Sequence, residues 1–240
     1  MTRMLVSVRD VHEALAAAQA GVHFIDLKEP ASGALGGLPA RRIVRIVHAL
    51  RAAHPGLPVS ATIGDVACDR PDEILRRVAR VAACGVDYVK VGVDATRADA
   101  SAALLVRLAA CCTAIVPVLL ADRGIDDALV RSALRERAFP ALMLDTADKK
   151  GGSLLRRVTP AALAAFVDAA RAHGTLAGLA GALRADDVPA LLALAPDFSG
   201  FRSAVCAGDR AGALQPRLVR ALLDRLAARP GPRRLAAAAS

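Results

Sequence analysis

Aromatic residues are nearly missing from this chain. Phe, Trp and Tyr together make up 2% of its 240 residues, with no tryptophan and a single tyrosine. Such a sequence has no aromatic platform on which to stack single-stranded bases. Cysteine is sparse and unpatterned. The five residues, at 68, 84, 111, 112 and 206, show no C-x-x-C spacing and no histidine partner, which reads as reduced cytoplasmic thiols and no metal site. No apolar run reaches membrane-spanning length, and Met1 leads straight into the strand-like MLVSV, with no secretory leader expected. Long runs of one charge are also lacking. Despite a formal net charge of +9, the basic residues are scattered or occur in small pairs, so an anionic small substrate fits better than a nucleic acid.

The least expected scarcity is lysine. Of 32 basic side chains, 28 are arginine and only four are lysine: Lys28, Lys90, Lys149 and Lys150. What is abundant is aliphatic. Hydrophobic residues reach 55%, mostly Ala, Leu and Val, enough for a large core.

Short β-rich runs alternate eight times with helical stretches. The runs are MLVSV (4–8), HFIDLK (23–28), VSATIG (59–64), YVKVGV (88–93), AIVPVLL (114–120), ALMLDT (141–146), TLAGLAG (175–181) and FSGFRSAV (198–205). Between them, apolar positions 74, 75, 78, 81 and 82 have helical spacing, and Pro39, Pro71 and Pro160 stand near helix starts. Strands apolar on both faces suit a parallel sheet sheathed in helices. Eight even units predict one (β/α)8 TIM barrel over 1–228, with 229–240 as a basic tail. A doubly wound open sheet is the alternative, disfavoured because no G-x-G-x-x-G follows the first strand.

In a barrel, chemistry sits at the C-terminal ends of the strands. All four lysines map to strands or to the loops that follow them, not to the helices where surface lysines usually go. Arginine stays protonated, whereas a buried lysine amine can lose its proton and attack a carbonyl to form a Schiff base. Asp26 and Asp145 lie beside these lysines in sequence and are candidate proton carriers. The plainer reading of Asp26 and Lys28, two apart on one strand, is a structural ion pair. Lys150 is the lysine best assigned to solvent.

A second signal lies in the last two units. AGLAGAL (177–183) and GFRSAVC (200–206) mark Gly178, Gly181, Arg202 and Ser203 as candidate phosphate-binding residues; alternatively the glycines only allow close packing. Asp65, Asp94, Asp122 and Arg123 follow strands toward the same mouth. ASGALGGLP (31–39) is a loop able to fold over substrate, and Arg97 or Arg123 is a candidate for a second anion. His23 is expected to be structural.

The segments FIDLKEPASGALG, SATIGDV, DYVKVGV, LMLDTADKKGGSLL and LAGAL…GFRSAVC, in this order, resemble the (5-formylfuran-3-yl)methyl phosphate synthase family over roughly residues 4–210. The resemblance implies a cofactor-free TIM-barrel lyase that condenses two molecules of glyceraldehyde 3-phosphate in methanofuran-type cofactor biosynthesis. It implies Lys28 as the Schiff-base lysine, Lys90 as a proton acceptor, Lys149 as the lysine of D-T-A-x-K, and Asp26 and Asp145 as active-site acids. Lys150 has no counterpart. The Ala- and Arg-rich composition resembles that of a GC-rich methylotroph, and a homo-oligomer is expected. Another class I aldolase acting on a phosphorylated sugar is the alternative, and a non-catalytic phosphate-binding barrel is the third reading.

Overall fold

A computed structural model describes residues 2–228; the expected tail at 229–240 lies outside the described residues. The chain runs β1 (Arg3–Val8), α1 (Val11–Gln19), β2 (Phe24–Leu27), α2 (Ala40–Ala53), β3 (Val59–Thr62), α3 (Pro71–Ala82), β4 (Tyr88–Asp94), α4 (Ala98–Ala109), β5 (Ile115–Leu120), α5 (Asp127–Arg135), β6 (Ala141–Asp145), α6 (Leu154–Arg157), α7 (Pro160–Ala172), β7 (Leu176–Leu179), α8 (Val188–Leu194), β8 (Phe198–Phe201) and α9 (Pro216–Ala227). The eight strands are parallel and close on themselves in sequence order, β8 pairing with β1. This is the TIM barrel expected from the repeat.

Local chemistry explains the helix ends. Pro71, Pro160 and Pro216 each open a helix, where the missing N–H costs nothing. Asp10, Asp126 and Thr159 cap α1, α5 and α7 by accepting a bond from the first turn. On α3 the expected stripe is buried at Ile74, Val78 and Val81. Among the described residues no helix is long and apolar enough to cross a membrane. Among the described residues the large apolar side chains left exposed are Val44 on α2 and Val106 on α4.

Most of the core lies between barrel and helices, and a smaller apolar cluster fills the barrel itself. Inside the barrel, alternate residues form layers. Phe24, Tyr88, Leu176 and Phe198 close the N-terminal end, and Leu5, Val116 and Met143 lie among them and above. Above this floor the interior positions turn polar: Ser7, Asp26, Ser60, Lys90 and Asp145 are all buried. The register aligns Ser7 with Asp26 and Asp26 with Ser60 across three adjacent strands. A parallel barrel with an apolar floor thus presents its polar residues at one mouth.

Candidate active site at the barrel mouth

Each polar residue arrives from a different strand. Asp26 comes from β2 and is fully buried; its carboxylate accepts bonds from Ser7 Oγ at 3.1 Å and Ser60 Oγ at 2.7 Å. It also pairs with Lys90 of β4, Nζ to Oδ1 3.2 Å. On the other side Asp145, the last residue of β6, pairs with Lys149 four residues on and accepts the Thr146 N–H at 2.7 Å. Burial works to raise the Asp145 pKa. The charges of Lys149 and Lys28 and the bonds from Lys149 and Thr146 outweigh it, holding the carboxyl below the usual carboxylate range.

Lys28 differs from the other two lysines. It sits one residue beyond β2, and its Nζ donates to a neutral acceptor, the Ala34 carbonyl, at 3.3 Å. Burial pushes its amine down to about 8, helped by the charges of Lys149 and Lys90 and opposed by Asp145 and Asp26. Two charges of each sign surround it and largely offset one another, so desolvation decides. Asp26 therefore does not pair with Lys28, the neighbour that the D-x-K spacing suggests, but with Lys90.

These five side chains line one cavity that is partly open to solvent. Gly181 and Ser203 line it too. Gly181 (φ 107) and Ala182 (φ 48) are both left-handed and turn the chain sharply off β7. The backbone N–H groups of Gly181, Ala182 and Ser203 donate to no backbone acceptor among the described residues. Lys150 is exposed.

Two of the expected phosphate ligands are placed differently from Gly181 and Ser203. Arg202 reaches the cavity wall, but all five of its N–H groups are spent on the protein. Its guanidinium forks onto Glu13 of α1 at 2.5 and 3.1 Å. Its other bonds go to the carbonyls of Ser7 at 3.1 Å, Arg210 at 2.8 Å and Gly212 at 2.9 Å. The chain turns at Arg202 (φ −135, ψ −64), so β8 ends at Phe201, earlier than the sequence run suggests. Gly178 does not line the cavity. A Cβ there would sit 2.3 Å from the Phe198 ring, so glycine makes room for the barrel floor. Gly178→Ala is expected to cost about 1–3 kcal/mol by overpacking while substrate affinity stays unchanged; urea unfolding alongside a KM measurement checks both.

The loop at 31–39 folds over the mouth as expected. Ala34 and Leu35 are buried in the barrel cluster, and Leu35 packs where a Cβ on Gly92 would be, 2.8 Å from its Cδ1. Asp65 holds this loop through the Leu35 N–H at 3.1 Å. Asp94 caps the following turn at Thr96, and Asp122 accepts the N–H groups of Ala147 and Asp148, so these carboxylates shape loops. Arg97 pairs with Asp69. Arg123 is exposed and outside the cavity lining. His23 Nδ1 accepts the Met4 N–H at 3.1 Å, a structural role. Sequence reasoning missed Arg210, which lines the cavity from the loop after β8. An arginine inside the Gly-rich AGDRAGAL was the available signal.

Comparison with known proteins agrees with this geometry. Among solved structures, phosphoribosylanthranilate isomerases from Thermotoga maritima and Thermus thermophilus superpose with TM-scores of 0.62 over 94% of this chain and 98% of theirs. At 16% and 17% identity they speak for the barrel alone. The (5-formylfuran-3-yl)methyl phosphate synthase of Methanopyrus kandleri is 37% identical, covering 94% of this chain and 99% of its own. That of Methanococcus maripaludis strain C5 is 31% identical, covering 92% and 97%. Residues 4–223 match the model of the 4-HFC-P synthase family, and the chain belongs to that family.

Proposed function

We propose that the protein is a (5-formylfuran-3-yl)methyl phosphate synthase that joins two molecules of glyceraldehyde 3-phosphate through a Schiff base on Lys28. The observation that carries the reading is the unequal state of the three lysines that line the cavity. Lys90 and Lys149 are each held by a carboxylate, whereas Lys28 has a neutral partner and an amine pushed down to about 8. A share of Lys28 is therefore unprotonated near neutral pH and able to attack a carbonyl.

The steps follow from the neighbours. The Lys28 amine adds to the aldehyde carbon of one triose phosphate, and water leaves as the imine forms. The protonated imine draws electrons from the adjacent C–H bond, a base removes that proton to leave an enamine, and the enamine expels the phosphate from the terminal carbon. The enol that remains bonds through that terminal carbon to the central carbonyl carbon of the second triose, isomerised to its ketone form, whose oxygen takes a proton; this gives the branched skeleton of the furan. The free hydroxyl of the second triose closes the ring on the carbonyl next to the imine, two waters are eliminated, and hydrolysis frees Lys28. Overall one phosphate and two waters leave, and no external oxidant is consumed. Each transfer needs an acid on one side and a base on the other. Lys90–Asp26 and Lys149–Asp145 flank Lys28 as two such couples, and Ser7 and Ser60 hold the Asp26 carboxylate oriented. The N–H groups of Gly181, Ala182 and Ser203 are the proposed cradle for one phosphate.

With one tyrosine and no tryptophan, the protein absorbs weakly in the near ultraviolet. Glyceraldehyde 3-phosphate added alone, in the presence of chelator, is expected to produce a conjugated furaldehyde chromophore with one phosphate released per two trioses. A borohydride-trapped triose on Lys28 without any chromophore would instead indicate another class I aldolase. Neither signal would overturn both readings.

A further inference from the structure

Two arginines line the cavity, and they are not equivalent. Arg202 has no N–H left for a ligand. Arg210 makes one side-chain bond, Nη2 to the Gly33 carbonyl at 3.2 Å, leaving its other donors uncommitted among the described residues. It is half-buried at the mouth, in electrostatic contact with Asp145, Arg202 and Asp65.

The backbone around Arg210 is braced more firmly than an ordinary surface loop. Arg202 Nε donates to the Arg210 carbonyl at 2.8 Å and Arg202 Nη2 to Gly212 at 2.9 Å. Arg9 Nη1 donates to the Ala211 carbonyl at 2.7 Å. Asp209 accepts the N–H groups of Ala211 and Gly212, and Ala207 N–H donates to Ala213. The buried Glu13–Arg202 pair thus acts on this loop and holds up a second arginine that retains free donors. An arginine fork matches the oxygens of a phosphate, and a charge-assisted bond to a dianion is stronger than one to a neutral carbonyl.

We propose that Arg210 binds the phosphate of an incoming triose phosphate, exchanging its bond to Gly33 for bonds to phosphate oxygens. The proposal deepens the synthase reading and rests on it for the identity of the ligand. The exchange has a consequence next door. Gly33 precedes Ala34, whose carbonyl caps Lys28, and both lie in the loop that covers the mouth. A phosphate on Arg210 releases one tether of that loop at the moment Lys28 needs access to a carbonyl. Arg202 is accordingly a positioning residue and Arg210 the ligand contact.

The test uses glycerol 3-phosphate, which carries the phosphate but has no carbonyl to react, with glycerol as the control. Isothermal titration of the full-length protein is expected to show glycerol 3-phosphate binding and no glycerol binding. Arg210→Gln should weaken that binding at least tenfold, and Arg210→Lys should recover part of it, with thermal unfolding of both close to wild type. Wild-type affinity in Arg210→Gln, or no binding by the wild-type protein, would overturn the proposal. The two readings fail separately. Binding that depends on Arg210 in a protein yielding no furan chromophore would sink the synthase reading alone. A normal chromophore with unaltered binding in Arg210→Gln would sink the Arg210 assignment alone.

Discussion

Lys28→Met is expected to lower turnover by roughly 10³-fold or more while making the protein more stable at pH 7. The loss of rate follows from removing the proposed nucleophile of a multi-step covalent mechanism, where single knockouts cost that much or more. The gain in stability follows from linkage. An amine at about 8 when folded and 10.5 when free is one that the folded state holds against its preference for charge. At pH 7 that difference amounts to on the order of 3 kcal/mol of destabilisation. Some of it returns when Lys28 is removed, because its charge helps keep Asp145 ionised. A net gain of about 1–2 kcal/mol is left.

The sign fixes the pH window. The group is depressed, so the unfolded chain binds the extra proton between about 8 and 10.5, and wild-type stability rises with pH across that interval. Below about 8 both states are protonated and the full penalty is present; above 10.5 neither is, and the penalty is gone. The stability gap between Lys28→Met and wild type should therefore narrow from pH 8 to pH 10.5, as read by urea unfolding at a series of pH values. In parallel, the borohydride trapping rate should climb with pH and level off above about 8, where the amine is free. A flat trapping profile, or a Lys28→Met variant that unfolds more easily at pH 7, would contradict the desolvated-amine account.

The barrel and three of its lysines were legible because both signals are local. A parallel strand buried on two faces reads as a short apolar run, and eight of these in even alternation leave few alternatives. Lysine stood out against arginine, and each of Lys28, Lys90 and Lys149 lies in or just beyond such a run. What was not legible depends on contacts across the barrel. Asp26 seemed to belong with Lys28, but strand periodicity stops at Leu27, and the pairing of Thr62 with Lys90 brings β4 to bear on Asp26 instead. Arg202 looked like a phosphate ligand because its partner, Glu13, is 189 positions away. Arg210 looked like a surface arginine because the loop it reaches is 177 positions away. Gly178 had a packing reading from the start, and the Phe198 ring decides for it.

Glu13→Gln is expected to be the most destabilising conservative change in the molecule, at about 3–5 kcal/mol. Glu13 and Arg202 are both buried, with side-chain exposures of 4% and 6%, so neither charge is screened by solvent. Forming such a pair gains little overall, since desolvation of both ions offsets their attraction; losing one partner is what costs, because the other charge is left buried. Glutamine keeps the shape and removes the charge, and its single carbonyl oxygen can accept only one of the two N–H groups, Arg9 onto Oε2 or Leu214 onto Oε1, that the carboxylate accepts. Replacing both residues, as in Glu13→Leu with Arg202→Met, removes the stranded charge, and that double variant should lose clearly less than the two single losses added together. It does not return to wild type, because the carbonyls of Ser7, Arg210 and Gly212 then lack their donor. The loop that carries Arg210 loosens with it, so the double variant should combine near-normal Lys28 trapping by an unphosphorylated aldehyde with a raised KM for triose phosphate. Urea unfolding of the two singles and the double, with KM for each, distinguishes these effects. A Glu13→Gln variant within about 1 kcal/mol of wild type would mean that solvent reaches the pair and that its brace on the β8 loop is weak.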